Sequence, residues 1–249
     1  GADLIATLCG VSRNQADAIA CESQQRADKA RREGYFTSIV PIHNPVKGLT
    51  ITEDECIRAH TSLASLAALP AMFAELGSQG VDSLQLAANP QLQAIEHIHT
   101  AGNSPAMADA ATLLLLGDAA LAETLGNKPR ARIVAAATAS ADPLQVLSGC
   151  VAATSKLMAQ QQLSVADVDL FELHEAFAAT VKCHQELGIP YDKLNVNGGV
   201  IALGHPMGAT GAIMTGMLLD ELERRGQHRG IVAASGAAGA GSALLIELV

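Results

Sequence analysis

The second half of the chain alternates apolar runs typical of strands with runs whose apolar positions recur at helical spacing. Helices are predicted for QVLSGCVAATSKLMAQQ (145–161), EAFAATVKCHQEL (175–187) and GATGAIMTGMLLDELERRG (208–226). Strands are predicted for ARIVAAATAS (131–140, buried), VDLFELH (168–174), GIVAAS (230–235) and SALLIELV (242–249). Strands that alternate with helices predict a layered α/β domain over residues 127–249.

The first half predicts helices but little that resembles a complete sheet. Ser12 is a suitable N-cap and Gly34 a suitable stop for a helix between them. A strand is predicted at FTSIVPI (36–42), a surface loop at 43–60, and a helical stretch interrupted at Pro70 over 62–76. ATLLLLGD (111–118) predicts a strand of a preceding layer, then a short helix. A domain boundary is expected at about 126–129, which makes 1–126 the first unit.

Composition narrows the range of functions. The 249 residues are 49% apolar and 16% charged, with a net charge of −9. The basic segment RADKARRE is explained by a solvated helix face, so no nucleic-acid partner is expected. Apolar runs stay short of the roughly 18 to 20 residues of a membrane span, and the N-terminus does not resemble a signal peptide, so no membrane partner is expected. Five scattered cysteines favour a reduced compartment, and a cytoplasmic location is expected.

The segment NVNGGVIALGHPMGATG (195–211) is the main candidate for chemistry. Its glycines permit positive φ angles and close approach of the backbone to a ligand. His205 precedes a predicted helix N-terminus, where free N–H groups favour a developing negative charge. A histidine that only serves the turn is the structural alternative. A phosphate loop is disfavoured because no lysine follows Gly208 or Gly211, and GAAGAG (236–241) precedes a strand rather than a helix.

Two further segments are expected to meet this loop. His174 ends a predicted strand, and ASGAAGAG (234–241) follows another. Because the ends of strands in an α/β layer commonly converge on one site, we expect His174, His205 and this small-residue turn to lie together.

At these residues the chain resembles the thiolase family. NVNGGVIALGHPMGATGA (195–212) is similar to the family's glycine-His-Pro signature, HEAFAAT (174–180) to its Asn/His-Glu-Ala-Phe segment, and TAGNSPAMADAATLLL (100–115) to its coenzyme A-contacting loop. The resemblance continues through SRNQADAIACESQQRADKA (12–30). It implies an α-β-α-β-α layered fold of two similar halves and a loop domain. The resemblance implies that residues 1–126 are the loop domain and the last part of the N-terminal half, and that 127–249 are the C-terminal thiolase domain. The chain is expected to begin inside the loop domain, with the first strands of the N-terminal half and their nucleophilic cysteine outside it.

The resemblance also implies roles for individual residues. His205 would be the base that activates the cysteine and would also help to hold the thioester oxyanion, and His174 would position a water or a donor in the same oxyanion hole. Ser235 would be the third catalytic residue. It stands where the family has a cysteine that acts as an acid and a base, so this serine departs from the family's pattern. Pro105 replaces a small serine that contacts pantetheine, and Ala237 replaces an oxyanion-hole glycine. The substrate-binding residues implied are Ala101, Gly102, Pro105, Ala237 and Arg58.

The implied activity is thiolytic cleavage of 3-ketoacyl-CoA to acetyl-CoA and a shortened acyl-CoA, in degradation of fatty acids or sterol side chains. Coenzyme A would be a substrate, with no resident cofactor or metal. The expected partner is a chain or segment that carries the N-terminal half, in a homo- or hetero-oligomer, because half of this fold leaves a sheet edge and an apolar face uncovered. Two alternatives remain: an impaired acyl-CoA-binding or scaffold subunit, and a carbon–carbon cleavage that needs only His205 and an oxyanion hole.

Overall fold

A computed structural model describes residues 1–126 and 128–249, and only the backbone of residues 182–185. The first half is helical apart from one small hairpin. Its elements are α1 (Ala2–Leu8), α2 (Arg13–Arg32), β1 (Ile42–Asn44), β2 (Leu49–Ile51), α3 (Leu63–Ala67), α4 (Ala74–Leu76), a π-turn (Gly77–Val81), α5 (Asp82–Ala88) and α6 (Ala119–Leu125). Within the described ranges, the helices are too short or too polar to cross a lipid bilayer.

The second half forms a four-stranded mixed sheet. Its elements are β3 (Ala131–Ser140), α7 (Gly149–Gln160), β4 (Leu170–Leu173), α8 (Ala178–His184), α9 (Val200–Leu203), α10 (Thr210–Arg225), β5 (Arg229–Ser235) and β6 (Ala240–Leu248), with 3₁₀ turns at 165–167, 185–187, 207–209 and 237–239. The strand order is β3-β6-β5-β4. β6 runs antiparallel to β3 and β5, whereas β4 and β5 are parallel. The carboxyl ends of β4 and β5 therefore lie at the same edge.

Each face of this sheet packs on a helix, because successive side chains point to opposite faces. Phe171, Ile231 and Leu245 join Leu157 of α7 in one buried cluster. Leu170, Val232 and Ile246 join Leu218 and Leu222 of α10 in another. A third cluster links α1 and α2 to Ala178, Ala179 and Ile201 of the second half. The helices of the first half thus pack against the segments that carry HEAFAAT and the glycine-His loop.

Most of the predicted helices and strands are confirmed. Ser12 caps α2 through a reciprocal hydrogen-bond pair with Gln15, and Gly226 ends α10 in the left-handed conformation. The short helix predicted before residue 126 is α6, capped by Asp118. Three helices begin later than predicted, at Gly149, Ala178 and Thr210, because a turn comes before each.

Two strands of the first half were predicted wrongly. ATLLLLGD (111–118) is described, yet it is neither strand nor helix, and Leu113 is 91% exposed. FTSIVPI (36–42) is mostly irregular, and only Ile42 enters the short hairpin within the predicted loop. Both segments are apolar, but a strand also needs a neighbour to accept its hydrogen bonds. β3 forms as predicted but is not buried, because it is an edge strand of the described sheet, with Ala137 its one buried residue. Asn127, inside the predicted boundary, lies outside the described residues.

Candidate active site

The structure brings His174 and His205 together. His174 directly follows β4, and its N–H donates to the Ala233 carbonyl of β5 at 2.9 Å. His205 follows α9, and its N–H donates to the Ala106 carbonyl at 2.8 Å. The two ring centroids are 4.5 Å apart, with the planes inclined by 45°. The predicted convergence of these two histidines is therefore what the structure contains.

Gly204 makes the approach of His205 possible. Its φ of +89° lies in the region that favours glycine. A Cβ at this position would lie 2.9 Å from the Cβ of Ala108 and 3.0 Å from Sγ of Cys56. A side chain here would be strained by its backbone angle and crowded by its neighbours. Glycine at this position therefore allows the tight backbone turn that comes directly before His205.

His174 is a buried imidazole whose two ring nitrogens lack a hydrogen-bond partner within the described residues. The residue is 3% exposed. Burial, and then the nearby His205, lower the pKa of His174 to about 4, and the backbone of Ser235 acts in the opposite direction. A neutral ring at pH 7 offers one N–H donor and one lone pair. Since buried polar groups are normally paired, these atoms point to a ligand or a water in the working site.

His205 is half-buried, and Thr210 orients it. Nδ1 of His205 and Oγ1 of Thr210 are 2.8 Å apart, which leaves Nε2 for a reacting group. Burial lowers the pKa of His205 below its ordinary value. The ring is therefore neutral near pH 7, as a general base must be.

Glu175 holds the segments that carry the two histidines. It is 2% exposed, and its Oε2 accepts from Ser23 Oγ at 2.8 Å and from the Ile201 N–H at 3.2 Å. Its Oε1 accepts from Asn195 Nδ2 at 3.2 Å. A Cβ on Gly199 would lie 2.3 Å from the Glu175 carboxyl carbon, so glycine allows this close contact. One carboxylate thus connects the turn after β4, the glycine loop and α2.

Ser235 lies beside His174, but its hydroxyl has two backbone partners. Oγ donates to the Leu147 carbonyl at 2.7 Å and accepts from the Cys150 N–H at 2.9 Å. Leu147 lies two residues before α7, and Cys150 is the second residue of that helix. The neighbouring thiol of Cys150 donates to the Ala233 carbonyl at 3.4 Å, and burial raises the pKa of this thiol to about 12. The hydroxyl therefore ties β5 to α7, and Cys150 is an inert core thiol.

The predicted substrate-binding residues fall into two groups. Pro105 precedes Ala106 and so lies next to His205, and Ala237 opens the 3₁₀ turn two residues after Ser235. Gly102 is buried, and its carbonyl accepts from Nη2 of the exposed Arg58 at 3.4 Å. The exposed Ala101 adjoins Gly102. Their contact with a substrate stays a prediction.

Three residues that shape the site were missed as site residues. Two of them are Thr210, which contacts His205, and Glu175. Asn103 is buried, donates to Asp17 of α2 at 2.8 Å and accepts from the Ala178 N–H through its carbonyl at 3.2 Å. Glu175 and Asn103 stand inside the quoted motifs, so an acid or amide beside a glycine or histidine was an available signal. No such signal marks Thr210, because its contact with His205 depends on the path of the loop between the two residues.

Comparison with known proteins identifies the family. The model of the thiolase C-terminal domain matches residues 127–248, and that of the thiolase N-terminal domain matches residues 1–81. Together these matches cover most of the chain. The chain belongs to the thiolase family.

Individual relatives agree with this assignment. The 3-ketoacyl-CoA thiolase of Aliivibrio fischeri is 37% identical over 254 residues, which cover 99% of this chain and 61% of that protein. The acetyl-CoA acetyltransferase of Synechocystis sp. is 38% identical over 244 residues, 96% of this chain and 57% of that protein. The chain thus spans about three fifths of the length of these relatives.

Solved structures show the same fold. The crystal structure of the Bacillus anthracis acetyl-CoA acetyltransferase has a TM-score of 0.86 and 33% identity, over 100% of this chain and 59% of that one. Human mitochondrial 3-ketoacyl-CoA thiolase in complex with CoA has a TM-score of 0.84 and 32% identity, over 100% of this chain and 58% of that one. The thiolase-like fold predicted from sequence is confirmed, and the chain matches a part of it.

Proposed function

We propose that the chain is the larger part of a thiolase that cleaves 3-ketoacyl-CoA into acetyl-CoA and a shortened acyl-CoA. The nucleophilic cysteine comes from residues outside this chain. One observation carries the proposal: two neutral imidazoles lie 4.5 Å apart, and the ring nitrogens of the more buried one lack a partner among the described residues. Relatives named 3-ketoacyl-CoA thiolase support the reaction class.

The first half-reaction forms an acyl-enzyme. His205 Nε2 takes the proton of the cysteine thiol, and the thiolate attacks the 3-keto carbon of the substrate. A hydrogen bond from the neutral His174 ring stabilises the oxyanion. As the carbonyl re-forms, the bond between C2 and C3 breaks. The leaving acetyl-CoA carbanion takes up the proton that His205 holds, so both imidazoles are again neutral.

The second half-reaction returns the cysteine. His205 takes the proton of a coenzyme A thiol, and the resulting thiolate attacks the acyl-enzyme thioester. The acyl group leaves on coenzyme A, and His205 returns the proton to the cysteine. Ser235 takes no proton in this scheme, since its hydroxyl already donates to the Leu147 carbonyl.

The substrate would bind through the two groups of residues predicted for it. Arg58 supplies local positive charge for a phosphate-bearing ligand, on a chain with a net charge of −9. In this proposal Ala101, Gly102 and Pro105 would contact the substrate, and the N–H of Ala237 would donate to the oxyanion. The acyl chain is expected to come from fatty-acid or sterol side-chain degradation.

The remaining parts of the proposal concern the assembly. We expect a chain or segment that carries the N-terminal half, in a homo- or hetero-oligomer, because the exposed leucines at 113, 115 and 116 form apolar surface that a partner would bury.

The domain boundary at residues 126–127 stays a prediction. The unpaired thiols of Cys21, Cys56 and Cys150 favour a reduced, cytoplasmic location.

Thiolysis of acetoacetyl-CoA and of a longer 3-ketoacyl-CoA tests the function, with the chain joined to the polypeptide that carries the cysteine. His205→Ala is expected to lower kcat/KM by about 10² to 10⁴, the range for a general base. His43→Ala removes an exposed histidine of the β1–β2 hairpin and is the matched control. Thiolysis that is undiminished in His205→Ala rules out the assigned role.

A second function is favoured by the backbone-bound Ser235 hydroxyl. A thiolase-like subunit without an acid–base thiol at this position would bind acyl-CoA or support a partner without turnover. Calorimetric binding of coenzyme A to an assembly that lacks thiolysis favours this function. Turnover that rises by orders of magnitude in Ser235→Cys favours a thiolase impaired only by its serine.

A further inference from the structure

The partner of His205 is a hydroxyl group rather than a carboxylate or a carbonyl. Within residues 1–126 and 128–249, the contact of Thr210 Oγ1 with His205 Nδ1 at 2.8 Å is the one hydrogen bond of this hydroxyl. A hydroxyl donates one hydrogen bond and accepts others, whereas a carboxylate or a carbonyl only accepts. Thr210 is therefore able to serve either protonation state of Nδ1.

Nε2 of the neutral His205 ring has two roles in the proposed reaction, as the acceptor of a thiol proton and as a donor to the carbonyl oxygen of the substrate. A base needs a lone pair on Nε2, so the proton of the neutral ring stands on Nδ1 and is donated to Thr210 Oγ1. Before it takes the thiol proton, the neutral ring also donates to the carbonyl oxygen of the bound substrate, which needs the proton on Nε2, so Nδ1 is then an acceptor and Thr210 Oγ1–H donates to it. A carboxylate at this place would fix the first tautomer.

We propose that Thr210 is the positioning residue of His205 and that its hydroxyl allows the neutral imidazole to populate both tautomers in one orientation. The catalytic use of the two tautomers rests on the proposed thiolysis, whereas the contact that allows them is observed in the structure. Rotation of the Thr210 hydroxyl accompanies the change of tautomer. The ring itself stays in place, so Nε2 faces the same point as acceptor or as donor.

The placement of Thr210 suits this role. It is the first residue of α10 and is 3% exposed. A threonine in a helix has two main χ1 rotamers, and the contact with His205 selects the one observed here. A 3₁₀ turn at Met207–Ala209 joins His205 to this helix and sets the spacing of five residues between the two side chains.

The kinetic test compares Thr210→Val, Thr210→Ser and Thr215→Val in the assembled enzyme. Thr215 lies on the same helix, and its hydroxyl bonds the Gly211 carbonyl, so Thr215→Val is the matched control. Thr210→Val is expected to lower kcat about 10- to 100-fold with little change in KM, as when the partner of a ligating or catalytic imidazole is lost. Thr210→Ser should keep most of the activity. Equal losses in Thr210→Val and Thr215→Val, or no rescue by serine, overturn the proposal.

A spectroscopic test does not depend on activity. In ¹⁵N-labelled assembly, the two ring nitrogens of His205, assigned through His205→Gln, should show shifts averaged between protonated and unprotonated nitrogen. In Thr210→Val one tautomer should dominate, and in Thr210→Ser the average should return. A wild-type ring fixed in one tautomer refutes the inference. Averaged shifts in an assembly without thiolysis leave the inference standing and refute the proposed function.

Discussion

The buried His174 ring predicts a loss of stability in mild acid. Its pKa of about 4 in the fold lies below the ordinary value of 6.5. Between these values the unfolded chain binds more protons than the folded one, so the free energy of unfolding falls as the pH falls. This contribution is fully present above about pH 6.5 and is lost as the pH approaches 4. The gap between the two values corresponds to about 3 kcal/mol.

His174→Asn removes this titration while keeping a polar side chain. The difference in unfolding free energy, wild type minus variant, should therefore shrink by about 3 kcal/mol between pH 7.5 and pH 4. Urea unfolding followed by circular dichroism at constant ionic strength measures it, with the slope m as a check on cooperativity. Other carboxylates titrate in both proteins and cancel in the difference.

Two variants make the measurement specific. His60→Asn makes the same substitution at an exposed histidine and is the matched control. His205→Ala removes the second cause that lowers the pKa of His174. When both proteins carry His205→Ala, the stability difference due to His174→Asn should therefore change over a narrower pH range. A wild-type minus His174→Asn difference that is constant from pH 4 to 7.5 would falsify the assignment of a buried, neutral His174.

Three more predictions concern two residues of the site and one ion pair elsewhere in the fold. Ser235→Ala should lower the free energy of unfolding in urea by about 1 to 3 kcal/mol, because the Leu147 carbonyl and the Cys150 N–H lose their partner. An unchanged urea midpoint would contradict this role of the Ser235 hydroxyl. Glu175→Gln places a donor against the Asn195 amide and should cost about 1 to 3 kcal/mol and lower kcat; normal turnover contradicts its positioning role. His97 bridges two carboxylates, with its Nδ1 2.8 Å from Oδ2 of Asp3 and its Nε2 2.9 Å from Oδ2 of Asp82. Burial lowers the pKa of His97, but the two carboxylates raise it to a net value above normal. The stability from this bridge is therefore full below about pH 6.5 and is lost as the pH rises through the raised pKa. His97→Gln should flatten that alkaline decline in thermal melts, and an unchanged slope argues against the bridge.

The sequence predicted those parts of the fold that local patterns specify. Gly226 ends α10 and Ser12 begins α2 because a cap depends on a few neighbouring residues. β5 and β6 were also found, since their apolar runs are bounded by turns. ATLLLLGD has the same apolar character, but a strand there needs a neighbouring strand, and the described residues do not supply one.

The site was predictable only in part for a similar reason. His174 and His205 were brought together by the rule that strand ends converge on one edge, and the glycines marked the tight turn. The partners of these side chains depend on tertiary contacts far apart in the chain, such as Ser23 with Glu175 and Leu147 with Ser235. Residue types alone did not show that the Ser235 hydroxyl bonds α7.

The central claim is that His174 and His205 face the reacting carbonyl of an acyl thioester. A crystal structure of the assembled enzyme with a non-cleavable 3-ketoacyl-CoA analogue tests this most directly. The account predicts the analogue's keto oxygen within about 3 Å of a ring nitrogen of His174 or His205, a hydrogen-bond distance. An analogue bound with its carbonyls remote from both rings, while His174 remains unpartnered, would contradict the account.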